Sequence, residues 1–255
     1  MMVHLRALFL CLSLAAGSSV AQPAADEPPQ ADAVPQRASP QELRYLASQV
    51  TFYRGRFERT ITGYSMEIPA GFHLIDSNDA RLLDAALGRP FDKRLVASVM
   101  ELNLALTDPQ LWLVRVRWMN EGLVVASAGE LDAKGLLDAA RSQTHVPRLA
   151  GSGGTLLRFV APPTRTGAEV DWVEERLPEG AKTTVFDCHA LHLARKGVLE
   201  FSIVGASAAL QKTCLATVRE FAQSVSFDPA LDYPAAAGSN FLAPYSLSGL
   251  IAQTQ

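Results

Sequence analysis

Long apolar runs are scarce in this chain. Beyond residue 21 no stretch reaches 18 apolar residues, whereas a helix needs about 20 to cross a bilayer, so no integral membrane span is expected in the mature chain. Charge of one sign is also lacking. The 23 basic residues nearly balance the 26 acidic ones, which argues against a dedicated nucleic-acid surface, because that needs a basic patch to neutralise phosphates. Only three cysteines are present. Gly151-Ser152-Gly153-Gly154 is followed by no Lys-Ser or Lys-Thr, and the dinucleotide-binding glycine spacing is absent, so there is no phosphate loop. No serine or cysteine nucleophile stands in a recognisable motif. No catalytic residue, cofactor site or metal site is assigned from the sequence.

The N-terminus has the pattern of a secretory leader. His4 and Arg6 precede an apolar run from Ala7 to Ala16, broken only by Ser13, and Ser19-Val20-Ala21 supplies small residues for cleavage. Residues 1–21 are therefore expected to be removed after Ala21, placing the mature protein in the periplasm or outside the cell. Leu10 precedes Cys11 where a lipoprotein signal needs a small residue, so Cys11 is expected to leave with the leader. Loss of Arg6 leaves 22 basic against 26 acidic residues, a net charge of −4. Residues 22–39, rich in Pro, Ala, Gln and acid, cannot bury enough apolar surface to offset chain entropy and read as a disordered tether.

Ordered structure is expected over 40–255. Ser39-Pro40-Gln41-Glu42 is a capping box with proline at the first helical position, and Leu43, Leu46 and Val50 fall on one face of the helix that follows. Tyr64–Ile68 and Phe72–Ile75 read as strands around a Pro69-Ala70-Gly71 turn. Ser77–Leu87 reads as a helix with Leu82, Leu83 and Ala86 inward, ending near Gly88 and Pro90. Leu95–Leu102 reads as a strand. Trp112, Val114, Val116 and Trp118 alternate with Leu113, Arg115 and Arg117, a period of two that predicts one buried and one largely wet face. Leu131–Ser142 reads as helical, and Gly151–Gly154 as a hinge-like break. Strands are expected at Leu156–Ala161, Glu169–Glu175, Thr183–Ala194 and Val198–Val204, then a helix near Ala208–Ser224 and a short one from Ser246. The pattern predicts an α+β fold with antiparallel sheet and helices packed on one face. Two similar halves, 40–150 and 155–230, with a tail at 231–255, are one way to divide the domain.

Several segments resemble a bacterial family known as domain of unknown function 2167. Glu67-Ile68-Pro69-Ala70-Gly71-Phe72 and Leu87-Gly88-Arg89-Pro90 are similar to its start. Trp112–Gly122 with Leu131-Asp132 and Leu136-Leu137 resembles its central strand and helix. Ala194-Arg195-Lys196-Gly197-Val198-Leu199 resembles its hairpin, and Ala243–Ile251 its closing segment. The likeness runs in order over roughly residues 55–251. It implies an exported protein of the cell envelope and supplies no catalytic residue. Ala126-Ser127-Ala128-Gly129 stands where relatives carry an acidic cluster, and the membrane helices that usually follow in the family have no counterpart in this sequence.

Cys188-His189-x-x-His192 has the donor types of a zinc or copper site. A two-residue turn at Lys196-Gly197 would set His192 opposite Phe201 and Ala190 opposite Ile203. Cys188 and His192 would then share a face about 13 Å apart, with His189 on the other, so the three cannot meet on one ion without a bulge. Asp76-Ser77-Asn78-Asp79 lacks the later glycine and glutamate of a calcium hand and reads as a helix cap. His73 and His145 have no partner motif. Arg115 and Arg117 suit an anionic partner, or a solvated face or protected edge, and the three tryptophans suit the core. In an oxidising compartment Cys188 and Cys214 are expected to pair. The hairpin puts Cys188 on the face of Leu199, Phe201 and Ile203, and the helix puts Cys214 with Leu210, Val218 and Phe221. Two buried free thiols are the other reading. The sequence thus points to a non-enzymatic envelope module that binds a protein or other envelope component, the alternative being a periplasmic enzyme such as a hydrolase whose site assembles only in space.

Overall fold

The computed structural model describes residues 36–60, 62–127, 131–142, 148–234 and 241–253. The expected leader, residues 22–35 of the expected tether, and His145 lie outside the described residues. The Ala38 N–H donates to the Ala86 carbonyl. The capping box forms as read: the Ser39 hydroxyl accepts from the Glu42 N–H, and the Glu42 carboxylate accepts from the Ser39 N–H. It starts helix α1, Pro40–Gln49.

Short strands β1 (Phe52–Tyr53), β2 (Gly55–Arg59), β3 (Tyr64–Ile68) and β4 (Phe72–Asp76) follow. Helix α2 (Ser77–Ala86), strands β5 (Leu95–Glu101) and β6 (Val114–Met119) and helix α3 (Ala133–Ser142) come next. Strands β7 (Thr155–Thr166), β8 (Glu169–Leu177), β9 (Val185–Ala194) and β10 (Gly197–Ala206) form a meander. The chain continues through α4 (Gln211–Gln223), β11 (Val225–Phe227) and α5 (Leu247–Ile251). Eight strands make one sheet in the order β1-β4-β5-β6-β10-β9-β8-β7, and β11-β3-β2 make a second. All the strand pairings are antiparallel. The protein is thus an α+β fold dominated by a large antiparallel sheet. No helix among the described residues is long and apolar enough to cross a membrane.

Alternation along the strands sorts side chains to two faces. On one, Val116, Leu199, Phe201 and Ile203 pack against Val218 and Phe221 of α4 and Phe57 and Met66 of the small sheet. On the other, α1 and α2 bury Leu43 and Leu83 against Ile75, Leu95 and Met100. Further along that face, α3 and α5 bury Leu136, Leu247 and Leu250 against Met119, Leu191, Val198 and Trp172. Helices therefore cover both faces, not one. The two sets of strands joined by β6–β10 pairing belong to one compact unit.

Three local expectations are corrected. Leu82 is 58% exposed while Leu83 is fully buried, and Ala80 takes the inward place assigned to Leu82. The β9–β10 turn is Arg195-Lys196, with Gly197 opposite Ala194, so Leu199 faces His192 and Ile203 faces Cys188. The register differs from the expected one by two residues, which leaves each side chain on its predicted face. Gly197 is not a positive-φ residue. It is needed for close approach instead, since a Cβ there would lie 2.0 Å from the Met119 carbonyl oxygen. Finally, Gly151–Gly154 is no free hinge: Ala150 and Ser152 donate backbone N–H groups to Glu200 and Asp187 in the interior.

Candidate functional site

Between the two apolar clusters on the second face lies a band of buried charge. The face of β6 that carries Leu113 and Met119 also carries Arg115 and Arg117. Adjacent strands add Glu200 and Ser202 from β10, Asp187 and His189 from β9, and Glu174 and Arg176 from β8. Glu174, Asp187, His189, Glu200 and Ser202 are wholly inaccessible, and Arg117 is 5% exposed. This corrects the reading of the arginine face of β6 as wet. It is wet only in pattern, because α2 and the 89–94 and 148–152 segments close over it with their own polar groups.

The charges are matched in a chain of ion pairs. Arg89 and Arg115 bind Asp84 at 2.9 and 2.7 Å, Arg115 and Arg117 bind Asp92 at 3.4 and 2.7 Å, and Arg117 binds Glu200 at 2.6 Å. Glu200 also accepts from the Ala150 N–H at 2.9 Å. At the far end Arg176 donates to Glu174 at 2.7 Å and stands 3.6 Å from Asp187. Trp172 donates its indole N–H to Glu174 at 2.9 Å. Asp187 accepts from the Ser152 N–H and hydroxyl at 2.7 and 2.9 Å and from the Gly205 N–H at 2.8 Å.

Burial alone would push the Glu200 carboxyl up. The Arg117 charge, with His189 and the Ala150 N–H, outweighs that and holds it below its ordinary value. Arg117 answers in kind: burial works against its charge, but Glu200 and Asp92 raise its pKa. Asp187 goes the other way, pushed up by burial despite its hydrogen bonds and His189. His189 stacks on Trp172, ring centroids 4.7 Å apart. Its Nδ1 is 3.5 Å from Glu200 Oε1, and neither ring nitrogen makes a hydrogen bond. The hydroxyl of Ser202, paired across the ladder with His189, also lacks a partner. Glu174, Asp187 and His189 each bring one ligand atom within 4.8 Å of the others.

The Cys188-His189-x-x-His192 motif is split. Cys188 is joined to Cys214 by a disulfide, with Cα atoms 5.9 Å apart, and both residues are fully buried. His192 shares that face and places Nδ1 2.9 Å from the Ala222 carbonyl oxygen, while His189 points to the charged band. Asp76 caps α2 through the Ser77 N–H at 2.6 Å and binds Arg59. Asp79 accepts from the Thr51 N–H. His73 packs its ring 4.2 Å from that of Phe52, and burial, with the nearby Arg54 charge, lowers its pKa. None of these joins the band. Trp172 is fully buried, whereas Trp112 and Trp118 are partly so.

The sequence singles out His189, in Cys188-His189-x-x-His192, and places it on the face opposite Cys188, but it does not single out the carboxylates of the band. The signal that points to them is a pair of complementary charges inside otherwise apolar strands: Arg117 in β6, and Glu200 within Val198-Leu199-Glu200-Phe201 of β10. On the surface, Trp112, Leu104, Leu111, Leu210, Thr213 and Arg89 line a half-open groove of about 580 Å³.

No curated protein matches this sequence. Among solved structures, the solution structure of cyanobacterial PsbP (CyanoP) from Synechocystis sp. PCC 6803 is similar at 14% identity, covering 68% of this chain and 91% of that one with a TM-score of 0.37. That superposition is too loose to carry a function across. The family comparison is firmer. Residues 55–255 match the family described as "Protein of unknown function (DUF2167)". The match takes in every strand from β2 onward and all of the charged band, so the chain belongs to that family.

Proposed function

We propose that this chain is an exported binding module of the cell envelope and that it does no covalent chemistry. The observation that carries the location is the Cys188–Cys214 disulfide, which ties β9 to α4 inside the core; such bonds persist in oxidising compartments. The leader pattern of residues 1–21 supports the same location. The non-enzymatic reading is supported by the way the titratable groups are used. The innermost acids of the band, Glu174, Asp187 and Glu200, are tied to arginines and backbone N–H groups and have no accessible surface, whereas catalytic acids and bases must touch a substrate.

The test is fractionation of cells expressing the full chain, with N-terminal sequencing of the product. The expected product begins at Gln22 and is found in the envelope fraction. A main form beginning at Met1 in the cytoplasm overturns the location. For the binding role, a photo-crosslinking residue at Thr213, on the groove, is expected to trap one defined envelope component that the same residue at exposed Arg44 does not trap. Equal trapping of many components at both positions overturns it.

A further inference from the structure

We propose that Glu174, Asp187 and His189 hold a structural divalent transition-metal ion in the centre of the sheet. Three observations converge on these residues. Their ligand atoms lie within 4.8 Å of one another on two adjacent strands. All three side chains are completely buried. And His189, stacked on Trp172 and so fixed in plane, has two ring nitrogens without a hydrogen bond. An imidazole nitrogen sealed from water without a partner is costly, and coordination to an ion is one way to satisfy it.

The band sets five carboxylates, Asp84, Asp92, Glu174, Asp187 and Glu200, against the four guanidinium groups of Arg89, Arg115, Arg117 and Arg176 and the imidazole of His189. The surroundings have the character of an outer shell. Trp172 and Arg176 donate to Glu174, while Ser152 and Gly205 donate to Asp187, contacts that orient carboxylates for a metal. Ser202, with its unpartnered hydroxyl, is the cross-strand neighbour of His189. One imidazole with two carboxylates suits zinc, manganese or iron(II), not a thiolate-seeking ion. Because the residues are sealed, the ion would bind the strands together and take no part in turnover. The proposal is independent of the envelope-binding role.

The experiment uses the full mature protein purified without chelators. Elemental analysis is expected to find about one equivalent of transition metal per chain. Chelator dialysis is expected to lower Tm by several degrees, and added Zn2+ or Mn2+ to restore it, since a ligand bound only to the folded state stabilises it. Co2+ added to the stripped protein is expected to give ligand-field absorption, lost in Glu174→Gln and His189→Gln. If those variants do not fold, the wild-type metal content and Tm response decide alone. Less than about a tenth of an equivalent of metal, with Tm indifferent to Zn2+, Mn2+ and Co2+, overturns the proposal and leaves a proton on the band as the balancing cation. Metal bound equally by folded Glu174→Gln and His189→Gln overturns it as well, because that is an adventitious ion only.

Discussion

Glu200→Gln tests whether the charged band is a desolvated, coupled unit. Glu200 has no accessible surface, and it accepts from Arg117 at 2.6 Å and from the Ala150 N–H at 2.9 Å. Glutamine keeps the volume, but it replaces one acceptor oxygen with an NH2 group that must face one of those two donors. Arg117, 5% exposed, is then left with Asp92, which it shares with Arg115. Removing one partner of a buried ion pair costs about 3–5 kcal/mol. An exposed pair such as Arg56–Glu58, with side chains 56% and 62% exposed, is worth about 0–1 kcal/mol. In a unit of this size 1 kcal/mol moves Tm by roughly 2–4 °C. Thermal unfolding at neutral pH should therefore show Glu200→Gln lower by about 6–20 °C and Glu58→Gln by no more than about 4 °C. Arg117→Met with Glu200→Leu should recover part of the loss, since neither charge is then stranded. The pH dependence has a definite sign. The folded-state pKa of Glu200 is lowered from 4.5, so its contribution is fully present above that value and lost as pH falls through the folded one. The gap between wild type and Glu200→Gln should close in acid. A Glu200→Gln protein within about 1 kcal/mol of wild type at neutral pH would refute the reasoning, because a solvated pair would behave that way.

Denatured, unreduced mature protein should titrate no free thiols, and reduction should lower stability by about 3–4 kcal/mol on the chain-entropy estimate for cysteines 26 residues apart; two titrated thiols would contradict the bond. Gly197→Ala should lose at least about 1–3 kcal/mol in urea unfolding, since its Cβ would meet the Met119 carbonyl oxygen at 2.0 Å and force β6 and β10 apart; a neutral result would show that the two backbones are not in close contact. Leu83→Ala should cost about 2–5 kcal/mol and Leu82→Ala under about 0.5, given 0% and 58% exposure; equal losses would mean that α2 is rotated from the orientation described.

The parts of the fold legible in the sequence are those where one local rule operates alone. The Ser39–Glu42 capping box is made by residues three apart and needs no tertiary context. The faces of β9 and β10 survive a misplaced turn because strand period is two and the register error was two residues. That parity also put Cys188 on the side of the sheet where α4 presents Cys214. The turn itself was misread because glycine has two uses. A glycine beside Lys196 suggests a turn position, but what Gly197 requires is the absence of a side chain against β6, and that neighbour is not adjacent in sequence. Leu82 and Leu83 differ by one step around a helix, and the direction of the core, which decides between them, is set by β5.

The charged band was illegible for a different reason. Alternation distinguishes one face of a strand from the other, but it does not say what covers the polar face. In an exposed antiparallel strand Arg115 and Arg117 would meet water; here α2 and the 89–94 segment meet them with Asp84 and Asp92. A central strand is covered on both faces, so a charge in its interior must find its partner within the protein. β6 and β10 lie at the centre of the eight-stranded order, and that position, which only the long-range pairing of the two strand sets creates, turns an ordinary alternating pattern into a buried one. Arg117 and Glu200, 83 residues apart, are therefore one structural feature. Each makes the other's burial tolerable, and a substitution at either should be felt at both.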